Sequence, residues 1–355
     1  MAEGLGNPLV KVYTQPQRGV AWLERVRGLR PGLVLTLGFT ETGLVEGISA
    51  AGATPRDRAF TALADAEFMV NGLTPAPAYP LPPLQAGASP ALIARAVVAD
   101  QTIPLSILNA GLPLPPTVPS LDLGGKPAQC LSTGAALPLD IVHHLWRRGL
   151  ALGASLGLES DYLLLAECVV GGTTTALGLL TGLGLDAAGR VNSSHPTCNH
   201  YQKQALVARG LSLAGLPAQP HPLAVVAAVG DPMQPVVAGL AIAASRTRPV
   251  LLAGGTQMLA VYALMGAIAA AEGCEWNPDN VVVGTTRWVA EDATGDTAGL
   301  AELTDACLIA TQLSFAKSRF EALRAYEHGF VKEGVGAGGC AIAASLYQNW
   351  GQPEL

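Results

Sequence analysis

Short apolar runs that end in small residues alternate with longer segments of mixed polarity along most of this chain. GLVLTLGFTETG (Gly32–Gly43) reads as an apolar strand that ends in a small-residue loop. Asp161–Cys168, PVLLAGG (Pro249–Gly255) and NVVVGTT (Asn280–Thr286) repeat that pattern, and Pro104–Leu108 supplies a further strand. Continuous apolar runs of this length fit strands covered on both faces. Helices are expected at Val20–Arg27, Pro55–Val70, Ala91–Ala99 and Ile141–Leu156, and from Thr174 onward. More follow at Tyr201–Ala208, Pro235–Ser245 and Gln257–Ala271. Thr54 stands as the cap of the second helix, with Pro55 at its first position. Leu73–Pro90 and a second proline-rich stretch up to Ser120 read as surface connectors. The alternation predicts an α/β fold, a parallel sheet with helices on both faces. Residues 31–299 form this sheet domain. Residues 1–30 and 300–355 read as a smaller helical subdomain, in which Leu300–Tyr347 surrounds a glycine-rich interruption.

Composition raises one alternative and removes others. Half of the 355 residues are hydrophobic and only 14% are charged, which is apolar enough to suggest a membrane protein. The richest stretch, Tyr162–Leu185, contains Glu167 and is interrupted by five glycines, while the uncharged Thr256–Ala271 is short for a span of about 20 residues. Neither is flanked by basic clusters beside an aromatic belt. Both read as buried strands and helices. The start, MAEGLGNPLVKVY, has no basic region followed by an apolar run, so no signal peptide is expected. A net charge of −6 with scattered basic residues excludes a nucleic-acid surface. The six cysteines are widely spaced and form no CxxC pair, a pattern that suits reduced thiols and a cytoplasmic setting.

Candidate chemistry sits at the strand ends, because ligands of an open parallel sheet gather beyond its carboxyl edge. Ala166–Gly178, Leu251–Gln257, Val281–Arg287 and Thr36–Gly43 all end strands in glycine and threonine. Glycine allows close approach of backbone to a phosphate or sugar, and threonine hydroxyls and helix N-terminal amides bind oxygen. Each loop alone fits ordinary turn chemistry better than a binding role. GxxxxGK[ST], a GxGxxG followed by a ribose-binding acid, GxSxG and HExxH are all missing, so a nucleoside triphosphatase, dinucleotide oxidoreductase, nucleophile-elbow hydrolase or zincin is unsupported. Two acids stand among glycines: Glu167 ahead of GGTTT, and Glu333 in KEGVGAGG. Their plain readings are a solvent-facing strand end and a helix terminus. His195, Cys198 and His200 have ligand-like spacing without a fourth partner nearby. His143–His144 beside Trp146 marks a partly buried boundary, and the Met and Leu of QMLAVYALM have the spacing of core.

Four segments in order, AECVVGGTTTALG, KQALVARGL, PVLLAGGTQMLAVYALM and KEGVGAGG, carry a resemblance. From near Gly32 onward the chain resembles the nicotinate-nucleotide:dimethylbenzimidazole phosphoribosyltransferase family, in particular its divergent archaeal and cyanobacterial branch. The resemblance implies Glu333 as general base, with Gly334 and Gly336 beside it, and Glu167 as a second catalytic acid. It implies substrate binding by Gly171, Gly172, Thr173, Thr174, Gly254, Gly255, Thr285 and Thr286, and by Lys203 facing the nucleotide phosphate. Residues 31–299 become a nucleotide-binding domain, and the implied protein is a cytoplasmic homodimer that makes a precursor of cobamides. Its substrates are nicotinate mononucleotide and an aromatic base, and it needs no metal or cofactor. The segment Gly43–Pro55 lacks the pattern that well-known members use around benzimidazole, so adenine or another purine is as open as dimethylbenzimidazole. Competing expectations are a non-catalytic nucleotide or cobamide-precursor binder, a transferase with a different leaving group, and a membrane protein.

Overall fold

The computed structural model describes residues 9–84, 86–157 and 159–355. The chain opens with β1 (Val10–Val12), α1 (Pro16–Val26), β2 (Pro31–Gly38), α2 (Pro55–Asn71), α3 (Ala91–Asp100), β3 (Leu105–Gly111) and β4 (Leu121–Asp122). It continues through α4 (Leu139–Ser155), β5 (Tyr162–Cys168), α5 (Gly172–Gly182), α6 (His200–Ala214), α7 (Pro222–Val229) and α8 (Met233–Ser245). The last third holds β6 (Val250–Ala253), α9 (Thr256–Glu272), β7 (Val281–Thr286), α10 (Arg287–Ala290), α11 (Thr297–Leu303), β8 (Leu308–Thr311), α12 (Glu321–Arg324) and α13 (Ala337–Gln348). The α/β architecture expected from the alternation is the one observed.

All eight strands join one sheet in the order β1-β8-β7-β6-β5-β2-β3-β4, parallel except for the β1–β8 pair. Successive side chains of a strand point to opposite faces, and here both faces are core. Leu163 and Leu165 enter one cluster with residues of α4, α5, α7, α8 and α9. Tyr162, Leu164 and Ala166 enter the other with residues of α1, α2, α3 and α13. This two-sided burial is why the strands read as unbroken apolar runs. Helix α8 is buried along its whole length, which accounts for much of the hydrophobic excess. No described helix is long and apolar enough to cross a membrane.

Several elements differ from the sequence expectation. The terminal segments, read as helical, also supply β1 and β8 to the sheet, and β8 completes the parallel series beside β7. Four residues are too few for a period to declare itself. Helix α7 was not anticipated, since nearly all of its eight residues are buried and no polar face marks it. The cap of α2 is a full capping box: the Thr54 hydroxyl accepts from the Asp57 amide, and the Asp57 carboxylate accepts from the Thr54 amide. The proline-rich segment is no free excursion. Glu67 of α2 accepts from the amides of Ala78 and Tyr79, and Tyr79 stacks on Phe60, which fastens the segment along α2.

Candidate active site

From β2 the chain builds outward to β3 and β4, then returns to the other side of β2 for β5 and proceeds to β8. The direction of construction therefore reverses between β2 and β5. A crevice opens at such a reversal, beyond the carboxyl ends of the strands. Glu167 stands there, on β5 in register with Thr36 of β2. A pocket occupies this place, with a cavity volume of about 140 Å³, and is partly open to solvent. Its wall includes Glu167, Glu333, Asp65 and Lys332, the turn Gly171–Thr173 at the start of α5, and Gly255–Gln257 at the start of α9.

Glu333 arrives from the far end of the chain. Its Oε2 accepts from the Thr285 hydroxyl and the Thr286 amide, each at 3.0 Å. Its Oε1 accepts from the amides of Gly334 and Gly338, each at 3.1 Å, which seats the carboxylate at the N-terminus of α13. Burial nonetheless pushes its pKa above the ordinary value, against the pull of these donors. The glycines of KEGVGAGG have a packing reason. Gly336 has a φ of 72°, and a Cβ at Gly338 would lie 2.2 Å from the Thr285 carbonyl carbon. Only glycine lets α13 begin this close to the strand ends. Val331, Lys332 and Val335, which flank the acid, also hold left-handed φ angles of 68°, 69° and 54°, a conformation that is unusual for β-branched residues.

The other acids of the pocket share one electrostatic signature. Glu167 accepts from the Val169 amide and the Gln257 side-chain amide, both at 2.9 Å. Burial first, then the charges of Asp231, Glu333 and Asp65, push its pKa up to about 8. Asp65 on the wall, and Asp231, which is buried outside the lining, are raised to about 6, again by burial. In the unfolded chain a glutamate loses its proton near pH 4.3. Between that value and about pH 8 only the fold keeps the Glu167 proton, so stability falls as pH rises. Glu167→Gln is expected to flatten that decline, measured by urea denaturation between about pH 5 and about pH 8. An unchanged pH slope would show that Glu167 does not titrate in this window.

The structure gathers some of the residues singled out from sequence and separates others. Glu333, Glu167, Gly171, Gly172, Thr173, Gly255 and Gly334 line the pocket. Thr285 and Thr286 stand behind Glu333 and hold it. Thr174 is buried, with no hydrogen-bond partner for its hydroxyl among the described residues. Gly254 continues β6, donating its amide to the Gly284 carbonyl. Gly336 packs on Ala166 and Ala253. Lys203 is buried off the pocket wall, its ammonium donating to the Asn192 carbonyl, and burial lowers its pKa to about 8. The cation on the wall is Lys332, paired at 2.5 Å with Asp292. His195 bonds the Gly47 carbonyl and His200 the Thr294 carbonyl, while Cys198 lies by Thr294 and Asp292. Among the described residues no three His, Cys, Asp or Glu side chains are grouped to hold a metal.

Sequence reasoning passed over Asp65, Lys332, Gln257 and the serines Ser49, Ser193 and Ser194, all on the pocket wall. Asp65 left one usable signal, an acid in the apolar run of AFTALADAEFMV.

No family model matches the chain. A UPF0284 protein of Cyanothece sp. is 64% identical over 348 residues, 98% of this chain and 95% of its own length. A UPF0284 protein of Microcystis aeruginosa is 59% identical, with 98% and 96% covered. The chain belongs to the UPF0284 family. Among solved structures, this family member is similar to a nicotinate-nucleotide-dimethylbenzimidazole phosphoribosyltransferase from Thermus thermophilus, with TM-score 0.59 and 19% identity over 96% of this chain and 93% of that one. A second structure, of CobT from the same organism, gives TM-score 0.58 at 18% identity, over 94% and 92%. The fold is thus that of these transferases, and the relatives are cyanobacterial, in agreement with the resemblance read from the sequence.

Proposed function

We propose that this chain is a nicotinate-nucleotide-dependent phosphoribosyltransferase that transfers ribose 5-phosphate to a nitrogen of an aromatic base, as a step toward cobamides. The observation that carries the reading is one pocket at the sheet's point of reversal, where Glu333 and Glu167 share a wall with glycine–threonine loops. The fold held in common with a nicotinate-nucleotide-dimethylbenzimidazole phosphoribosyltransferase supports it.

In the proposed reaction a ring nitrogen of the acceptor attacks the ribose C1 as the bond to nicotinate breaks. The electron pair of that bond returns to the pyridinium nitrogen, so nicotinate leaves without an acid. Attack on the face opposite the leaving group gives the α-riboside. The acceptor's N–H proton goes to a carboxylate, the role assigned to Glu333, whose apolar setting raises its basicity. Glu167, protonated near neutral pH, donates a hydrogen bond to a ribose hydroxyl. The amides of Gly171 and Thr173 and the ammonium of Lys332 suit the phosphate. A cytoplasmic homodimer without a cofactor belongs to the same proposal.

One observation favours a second reading, a non-catalytic binder of the same nucleotide: both oxygens of Glu333 already accept protein donors, as a structural acid's do. Incubation with nicotinate mononucleotide and a panel of bases separates the two. The transferase releases nicotinate only when an acceptor is present, measured by chromatography. Binding of the nucleotide with no release for any base would leave the binder.

A further inference from the structure

The proposed chemistry leaves one acid of the pocket wall unused. Asp65 lies in the middle of α2 among Ala62, Leu63, Ala64 and Ala66, and is 4% exposed. Its two protein donors are neutral: the Ser89 hydroxyl at 3.0 Å to Oδ1 and the Cys168 thiol at 3.3 Å to Oδ2. Among the described residues no lysine, arginine or histidine forms an ion pair with it. A carboxylate has about four acceptor sites, and buried acids are ordinarily paired. Asp65 thus keeps acceptor capacity on a pocket wall with no cation to consume it.

The pocket lining mixes two kinds of surface. Gly171–Thr173, Ser193, Ser194 and Thr256 are small and hydroxyl-rich, suited to ribose and phosphate. Thr61 stands one turn before Asp65 on α2, and Ala50, Ala51, Pro82, Leu84 and Pro90 add apolar surface to the same lining. Flat apolar walls with one acceptor suit a flat ring that bears an N–H.

Resting on the transferase reading, we infer that Asp65 recognises the acceptor base, and that this base is a heteroaromatic ring with an exocyclic amine or a second ring N–H, an aminopurine. A dimethylated benzimidazole would place methyl groups against the carboxylate, removing its water and returning no donor. The pKa of Asp65, held at about 6 by burial, leaves it mostly ionised near pH 7, the state that accepts such a hydrogen bond.

The experiment compares adenine, unsubstituted purine and 5,6-dimethylbenzimidazole with the wild type, Asp65→Ala and Asp65→Asn. kcat/KM comes from nicotinate release, and Kd from calorimetry of the base alone, which needs no turnover. The wild type is expected to prefer adenine over unsubstituted purine by about 10- to 100-fold, the range of one hydrogen bond to a charged group. Asp65→Ala should abolish that preference and Asp65→Asn should reduce it; the near-isosteric Asn variant carries the test if Ala fails to fold. An adenine preference unchanged in the variants, or a wild type that favours dimethylbenzimidazole, overturns the assignment. Absence of nicotinate release beside an Asp65-dependent Kd for adenine would remove the transferase reading and keep the recognition role. Release with a preference indifferent to Asp65 would do the reverse.

Discussion

Glu333→Gln is expected to lower kcat by about 10²- to 10⁴-fold, the usual contribution of a positioned acid or base, while nicotinate mononucleotide still binds. The surroundings of the carboxylate make this a demanding substitution. Oε1 faces two backbone amides, and Oε2 faces an amide and a hydroxyl. An amide side chain cannot accept on both sides, so its NH₂ must oppose at least one N–H donor, at a cost of about 1–3 kcal/mol. Thermal unfolding of the variant therefore has to accompany the kinetics. A modest fall in Tm with the nucleotide Kd intact and kcat greatly reduced is the expected combination. Turnover at the wild-type rate would leave Glu333 as a helix cap and nothing more.

Asp292→Ala is expected to destabilise the fold by about 3–5 kcal/mol, the cost of leaving one partner of a buried ion pair alone. The side chains of Lys332 and Asp292 are only 2% and 5% exposed. Asp292 also accepts from the Asn192 side-chain amide and from the amide and hydroxyl of Thr294, so alanine orphans several donors together. Burial alone would raise the Asp292 pKa, but Lys332, Asn192 and Thr294 hold it below the ordinary value. Its contribution to stability is thus full above the unfolded carboxylate pKa, near 3.9, and is lost as pH falls through the lower folded one. Urea denaturation at pH 7 reads the loss. Replacing both partners with leucine and methionine should recover much of it, because an apolar pair has no stranded charge. A loss below about 1 kcal/mol would mean that the pair behaves as a surface bridge.

The architecture was legible because its strands are buried on both faces. A strand such as Tyr162–Cys168 is apolar on both faces until Glu167 near its end, and its run stops where glycine and threonine take over. The same physics hid α7, whose apolar surface points inward all round, and β8, which is too short to display a period. For the pocket, local signals identified residues but not their directions. Lys203 and Lys332 are both lysines close to glycine or polar loops, yet one turns to a backbone carbonyl and the other reaches the pocket. Asp65 looked like one of several charges on an ordinary helix, and its significance depends on Ser89 and Cys168 converging from distant parts of the chain. Leu73–Pro90 read correctly as irregular; that Glu67 would fasten it along α2 is a non-local fact.

The left-handed residues around Glu333 have a consequence for how the pocket behaves when vacant. Strain of about 1–3 kcal/mol at each such position loads the short arm that presents the acid, at Val331, Lys332 and Val335. Were that arm to relax, the carboxylate would swing away from the rim and the four donors that now clasp it would be left empty.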